Sequence, residues 1–179
     1  TSPLVPADYM CFIIASNGIT LDGNSHSITG DGTPSWDKGV YAGAVEGVTV
    51  KNLGISNFNK AGIHFFNVQN SFIRNNVANS MNQKGIWVES GTNIQISGNT
   101  ANGNDVIGIY VYLGTGNVIT DNTANSNDVG MHFEGTDGNV ITDNEVCYNS
   151  EGGGDFRCST GFGSGSGNTF DTQFGCDDE

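Results

Sequence analysis

Positive charge is scarce in this sequence. Six Lys and Arg stand against 19 Asp and Glu in 179 residues, a formal net charge of −13. No basic face exists to capture nucleic acid electrostatically, so no nucleic-acid partner is expected. Charged residues of both signs make up only 14%, against about 25% in a typical soluble domain. No apolar run approaches the roughly 18 residues of a membrane span. Long uninterrupted helix-forming stretches are also missing, because Gly, Asn, Ser and Thr break each one. What is present in excess is Gly, 27 residues, and Asn, 23 residues. The Gly lacks a three-residue period, which excludes collagen. Hydrophobic residues reach only 36%, but their regular placement argues against disorder.

That regularity is a repeat. A Gly followed by an apolar residue recurs as Gly39-Val40, Gly62-Ile63, Gly85-Ile86, Gly108-Ile109 and Gly130-Met131, at intervals of 23, 23, 23 and 22 residues. A degenerate sixth copy is expected at Gly154-Asp155, 24 residues on. Eleven residues after each Gly stands Val50, Ile73, Ile96, Ile119 or Ile141. Further columns hold Asn76, Asn99, Asn122 and Asn144, then Ile55, Ala78, Ala101, Ala124 and Val146. Apolar residues alternate within a copy, as in Ile86/Val88 and Ile109/Val111, which is the period of a strand. Short strands at a fixed period of about 23 describe a coil whose successive turns stack about 4.8 Å apart as parallel strands.

Asn suits such a coil. It tolerates the left-handed backbone of sharp corners. Its amide donates and accepts, so Asn76, Asn99, Asn122 and Asn144 are expected to bond from coil to coil as a ladder. The plainer alternative is a set of solvated turn residues. Asn79, Asn102 and Asn125 form a second column, continued by Cys147.

The segments GITLDGNSHSITG, NIQISGNTANGN, GNVITDNTANSN and GNVITDNEVCYN resemble right-handed parallel β-helix repeats. They look like the group shared by carbohydrate-binding and sugar-hydrolysing proteins and NosD-like periplasmic proteins. The resemblance covers roughly residues 11–176 and implies the fold. It does not choose among the lyases, epimerases, adhesins and surface proteins of that group. The expectation is a single all-β domain over 1–179, a right-handed parallel β-helix of about seven coils. Residues 1–10 would form an N-terminal cap segment. Residues 31–38 would protrude as a loop, and 150–168 would form a Gly/Ser-rich loop. No strong cap is visible at either end, so the ends are covered by loops or by neighbouring molecules.

The cysteines are Cys11, Cys147, Cys158 and Cys176. Cys11 lies in the first coil and the others in the last two, over about 20 Å away at the coil spacing. That is too far for a disulfide. One disulfide, Cys158–Cys176, is expected, with Cys11 and Cys147 free or linked to another molecule. Disulfide use suggests an extracellular or cell-surface setting. No Cys/His ligand spacing occurs, so no metal is expected, and no cofactor is implied. Charge is uneven: residues 1–105 hold seven acids and five bases, and residues 106–179 hold twelve acids and Arg157. Asp121 and Asp143 share a column. The Gly- and Asp-rich calcium repeat of β-rolls is absent.

Side chains alternate across a strand. The outward column after each repeat Gly reads Tyr41, His64, Trp87, Tyr110, His132 and Phe156, and the next outward column includes Phe66, Glu89, Tyr112, Glu134 and Cys158. A band of aromatic and His side chains marks an interaction surface unless a loop covers it. One reading makes it a subunit interface of an extracellular structural protein, assembling as a homo-oligomer or filament. The other makes it a carbohydrate platform that binds or processes a polysaccharide. In its enzyme form, Glu89 and Glu134 lie two coils apart, roughly 9.6 Å, near the separation of an inverting acid/base pair. His132 and Tyr110 stand beside them as proton carriers. The assembly reading is favoured, with no catalytic residues, because a short chain offers little cleft.

Overall fold

The computed structural model describes residues 9–33, 36–150, 154–158, 163–171 and 173–174. Every strand pairing among them is parallel. The chain winds as a β-solenoid of about six turns with a period of about 23 residues. The expected count was about seven; the last strands described, Thr169–Phe170 and Gln173–Phe174, are two residues each.

Three sheets make up the wall. The large one stacks eight strands in sequence order, from Met10–Ile14 through Lys38–Gly43, Ala61–Phe66, Lys84–Glu89, Ile107–Tyr112, Val129–Glu134 and Phe156–Cys158 to Gln173–Phe174. The second holds seven strands, from Thr20–Asp22 to Gly163–Ser166. The third is short and partly reduced to single bridges, Val77 to Thr100 to Thr123 to Glu145. Such a stack is what short alternating segments allow: each coil buries its apolar face only against its neighbours.

The inward columns form the core. Val40, Ile63, Ile86, Ile109 and Met131 are fully buried, as are Val50, Ile73, Ile96, Ile119 and Ile141. Each such side chain contributes about 1.5–3 kcal/mol of burial. The small column Ala78, Ala101 and Ala124 lines the third sheet and is also fully buried. The repeat Gly has a steric reason. A Cβ on Gly85 would lie 2.7 Å from the Gly108 carbonyl oxygen and 2.9 Å from that of Ala78. Gly62, Gly108 and Gly130 meet the next coil's carbonyl in the same way, at 2.7–2.8 Å.

Corners are turned in the left-handed region. Asn52, Asn75, Gly98, Asp121, Asp143 and Gly167 form one column with φ of 53–69°. This gives Asp121 and Asp143 a backbone role, since Asx residues tolerate that conformation.

The sixth repeat departs from its expected register. Met131 pairs with Phe156, His132 with Arg157 and Phe133 with Cys158. Asp155, not Gly154, therefore takes the repeat-Gly position. Phe156 points into the core at 3% exposure, and Cys158 is buried too. Both had been expected to face outward. The one-residue slip reverses every side chain in the strand, and Arg157 replaces Phe156 in the outward column. Cys11 and Cys147 are free thiols, exposed and buried respectively, and Cys158 is disulfide-bonded. Cys176 lies outside the described residues, as do residues 1–8 of the expected cap and part of the 150–168 loop.

Candidate functional site: an aromatic and lysine-lined face

Each Asn of the expected ladder column is buried. Asn76 Nδ2 donates to Asn99 Oδ1 at 3.0 Å, Asn99 to Asn122 at 3.0 Å and Asn122 to Asn144 at 3.0 Å. Asn144 donates onward to Asn168 at 2.9 Å. The second column bonds differently. Asn79 Oδ1 accepts from the Asn102 backbone N–H, Asn102 Oδ1 from that of Asn125, and Asn125 Oδ1 from that of Cys147. Sequence reasoning missed a further ladder, Asn104 to Asn127 to Asn149, with Asn104 and Asn127 buried and Asn149 partly so, which ends on Asp155. Its signal was available: the three Asn recur at 23 and 22 residues. These ladders hold the coils in register and so align the outward columns.

On the large sheet, Tyr41, His64, Trp87, Tyr110 and His132 occupy one outward column, in strand register. Gly43, Phe66, Glu89, Tyr112 and Glu134 occupy the next. Their rings contact one another along the stack. His64 and Trp87 lie parallel with centroids 3.8 Å apart. Tyr41 meets His64 edge-on at 5.4 Å, and Tyr110 meets His132 at 5.1 Å. The two candidate acids are both engaged. Tyr110 Oη donates to Glu134 at 2.6 Å, and His64 Nε2 lies 3.3 Å from Glu89 Oε2.

Lysines surround this column, and the sequence reading had not singled them out. Lys60 Nζ stands 4.0 Å from the ring centre of Trp36 and 5.6 Å from that of Trp87. Lys84 Nζ stands 4.7 Å from Trp87 and 5.6 Å from Tyr110, and Lys38 Nζ 5.7 Å from Tyr41. Ammonium groups over aromatic faces are held by the ring quadrupole. The lysines are spread through the sequence, at 38, 60 and 84, and only the coil period collects them. Trp36, 61% exposed, forms a wall. Trp36, Lys38 and Lys60 with the Tyr41, His64 and Trp87 rings enclose an open cleft of about 280 Å3, lined also by Met10, Phe66 and Glu89, and Lys84 stands beside it over Trp87.

The electrostatics follow from crowding. Burial first, then Lys38, Lys84 and Lys60, push the His64 pKa down to about 3. His64 is therefore neutral despite its carboxylate neighbour, and its Nε2–H donates to Glu89. Its Nδ1 is buried without a partner among the described residues, and so is Trp87 Nε1. Burial and then Lys60 lower Lys84 to about 8, against a smaller raising by Glu89. Burial, then the bond to Glu134, raise Tyr110. Burial lowers His132, partly offset by Glu134.

These features define a class: a parallel β-helix presenting an aromatic face with a basic half. The chain belongs to the NosD family, described as periplasmic copper-binding protein (NosD), whose profile matches residues 6–171. No match was found among curated proteins. Solved structures share the fold at low identity. The periplasmic alginate epimerase AlgG superposes with a TM-score of 0.69 at 15% identity, over 89% of this chain and 43% of that one. The mannuronan C-5 epimerase AlgE4 A-module of Azotobacter vinelandii gives 0.56 at 16%, over 82% and 55%. The alginate lyase of Paenibacillus sp. str. FPU-7 gives 0.56 at 14%, over 96% and 74%. The chain thus spans about half the length of the two epimerases.

The family description names copper, which takes imidazole and soft sulfur ligands grouped around the ion. Among the described residues no three His, Cys, Asp or Glu side chains converge in that way. His64 Nε2 is turned to Glu89 while its ring packs on Trp87, and the two free thiols are Cys11 in the first coil and buried Cys147 near the last. The described side chains do not fit a copper site.

Proposed function

We propose that this chain is a periplasmic or extracellular β-helix that binds an acidic polysaccharide on its large sheet. One observation carries this reading. Three of the six basic residues of a chain with net charge −13 collect over the aromatic rings of one face: Lys38 and Lys60 line its cleft, and Lys84 stands beside it over Trp87. Aromatic faces accept the apolar faces of sugar rings, and ammonium groups attract carboxylates. The alginate- and mannuronan-directed activities in the names of longer proteins of similar fold support the choice of an anionic glycan. Both tryptophans of the chain, Trp36 and Trp87, line the cleft. Intrinsic fluorescence therefore reports its occupancy. Titration with a panel of acidic polysaccharides should change the emission, and neutral dextran should not. A Lys60→Ala/Lys84→Ala variant should lose the response. Absence of any response to acidic glycans would overturn the reading.

A catalytic version rests on the Tyr110–Glu134 bond at 2.6 Å with His132 packed on Tyr110. In it, Glu134 is the general acid or base, and Glu89, two strands away in the same column, is its partner. Loss of turnover in Glu134→Gln toward a polysaccharide that the face binds would establish it. Lack of turnover by the unaltered protein would leave binding alone.

The assembly reading keeps one supporting feature: in the first coil, Cys11, Phe12 and Ile13 are exposed. In that reading the ends meet as filaments, and the Cys158–Cys176 pairing closes the last coil. Electron microscopy of concentrated protein tests it, since isolated particles would refute filament formation.

A further inference from the structure

The charge on the face is lopsided along the solenoid axis. Lys38, Lys60 and Lys84 serve the strands Lys38–Gly43, Ala61–Phe66 and Lys84–Glu89. From residue 85 to residue 156 the sequence contains no Lys or Arg. The next two strands of the face, Ile107–Tyr112 and Val129–Glu134, present Tyr110, Tyr112, His132 and Glu134. Register sharpens the contrast. Lys60 immediately precedes the strand Ala61–Phe66, and Asp128 immediately precedes the strand Val129–Glu134. Positive charge returns only at Arg157, paired with His132. From Lys84 to Arg157 is three coil steps, roughly 14 Å.

We infer that the face reads the spacing of acidic groups, and that its ligand is a heteropolysaccharide whose carboxylates are separated by neutral sugars. This rests on the acidic-polysaccharide reading above. A glycan laid along the stripe places its carboxylate in the cleft near Lys60 and Lys84. The adjoining sugars then lie over Tyr110, Tyr112 and His132, which offer ring faces and hydrogen bonds but no cation. A chain charged at every unit would bring carboxylates against Glu134 and Asp128 without compensation. Like-charge contact of this kind works as specificity against the wrong polymer.

The test compares two sets of oligosaccharides of equal length by fluorescence titration at low salt. One is from deacylated gellan, with a single glucuronate in each tetrasaccharide repeat. The other is oligomannuronate, charged at every unit. The gellan set is expected to bind about tenfold tighter. Glu134→Gln, which keeps an acceptor for Tyr110, is expected to raise oligomannuronate affinity several-fold and so narrow the gap between the two sets. Equal or tighter binding of oligomannuronate, insensitive to Glu134→Gln, would overturn the spacing inference alone. Failure of both sets and of all other acidic glycans would overturn the binding reading beneath it.

Discussion

His64 and Trp87 stack with their rings 3.8 Å apart and 4° from parallel. The imidazole is only 5% exposed, and it sits among Lys38, Lys60 and Lys84. An ionised imidazole would face both desolvation and like charge there, so the neutral form is the one the fold accepts.

Stability should therefore depend on this ring in acid. Its pKa is about 3 in the folded chain and about 6.5 unfolded. Between those values the unfolded chain binds the extra proton, so stability falls as pH drops from about 6.5 toward about 3. The contribution amounts to at most a few kcal/mol. Urea midpoints measured across that range should fall less steeply in His64→Gln than in the unaltered protein. Parallel curves would show that His64 does not titrate in this window.

Glycan binding should weaken in mild alkali. Lys84, held near 8 by burial and Lys60, loses its charge as pH rises through that value, whereas an ordinary lysine stays charged to about 10.4. Affinity for an acidic oligosaccharide is expected to fall between about pH 7 and about pH 9. Lys84→Arg, charged throughout, should flatten the profile. A profile unchanged by Lys84→Arg would remove Lys84 from the binding site.

Two substitutions probe the coil contacts. Asn99 accepts from the Asn76 side chain and backbone and donates to Ile73 and Asn122. Asn99→Ala strands those buried groups and should cost about 2–4 kcal/mol in chemical denaturation. Gly85→Ala drives a methyl group onto two carbonyl oxygens and should cost at least about 1–3 kcal/mol. Asn102→Ala, in the half-buried column, should cost under about 1.5 kcal/mol. Equal losses at Asn99 and Asn102 would show that burial of the ladder does not set its energy.

The free thiols should separate by access. Cys11 is exposed and Cys147 buried, and burial raises the Cys147 thiol pKa. Native alkylation followed by mass mapping should label Cys11 quickly and Cys147 only after unfolding. Rapid native labelling of Cys147 would place it at an open edge. Intermolecular linkage through Cys11 would appear as a multimer ladder in non-reducing gels, abolished by Cys11→Ser.

Where the repeat is intact, the fold was legible because sequence distance equals one turn of the coil. Gly39 to Gly130 mark five turns, and Asn76 to Asn144 mark one buried column. Legibility ended where the period slipped. Gly154 imitates the repeat Gly, but pairing starts one residue later, and Phe156 goes inward while Arg157 goes out. Only strand register distinguishes those choices.

The sequence by itself determined the period, the parallel strands, the absence of long helices and the outward column from Tyr41 to His132. These follow from local chemistry repeated at fixed intervals: alternation, turn residues and a Gly where no Cβ fits. Tertiary structure decided what that column faces. Lys38 and Lys84 share the column before the repeat Gly, two coils apart, but Lys60 and Trp36 stand outside it, so periodicity alone does not show that all four meet. Winding brings them to the same aromatic face, and the resulting crowding neutralises His64, lowers Lys84 and concentrates positive charge on one half of that face.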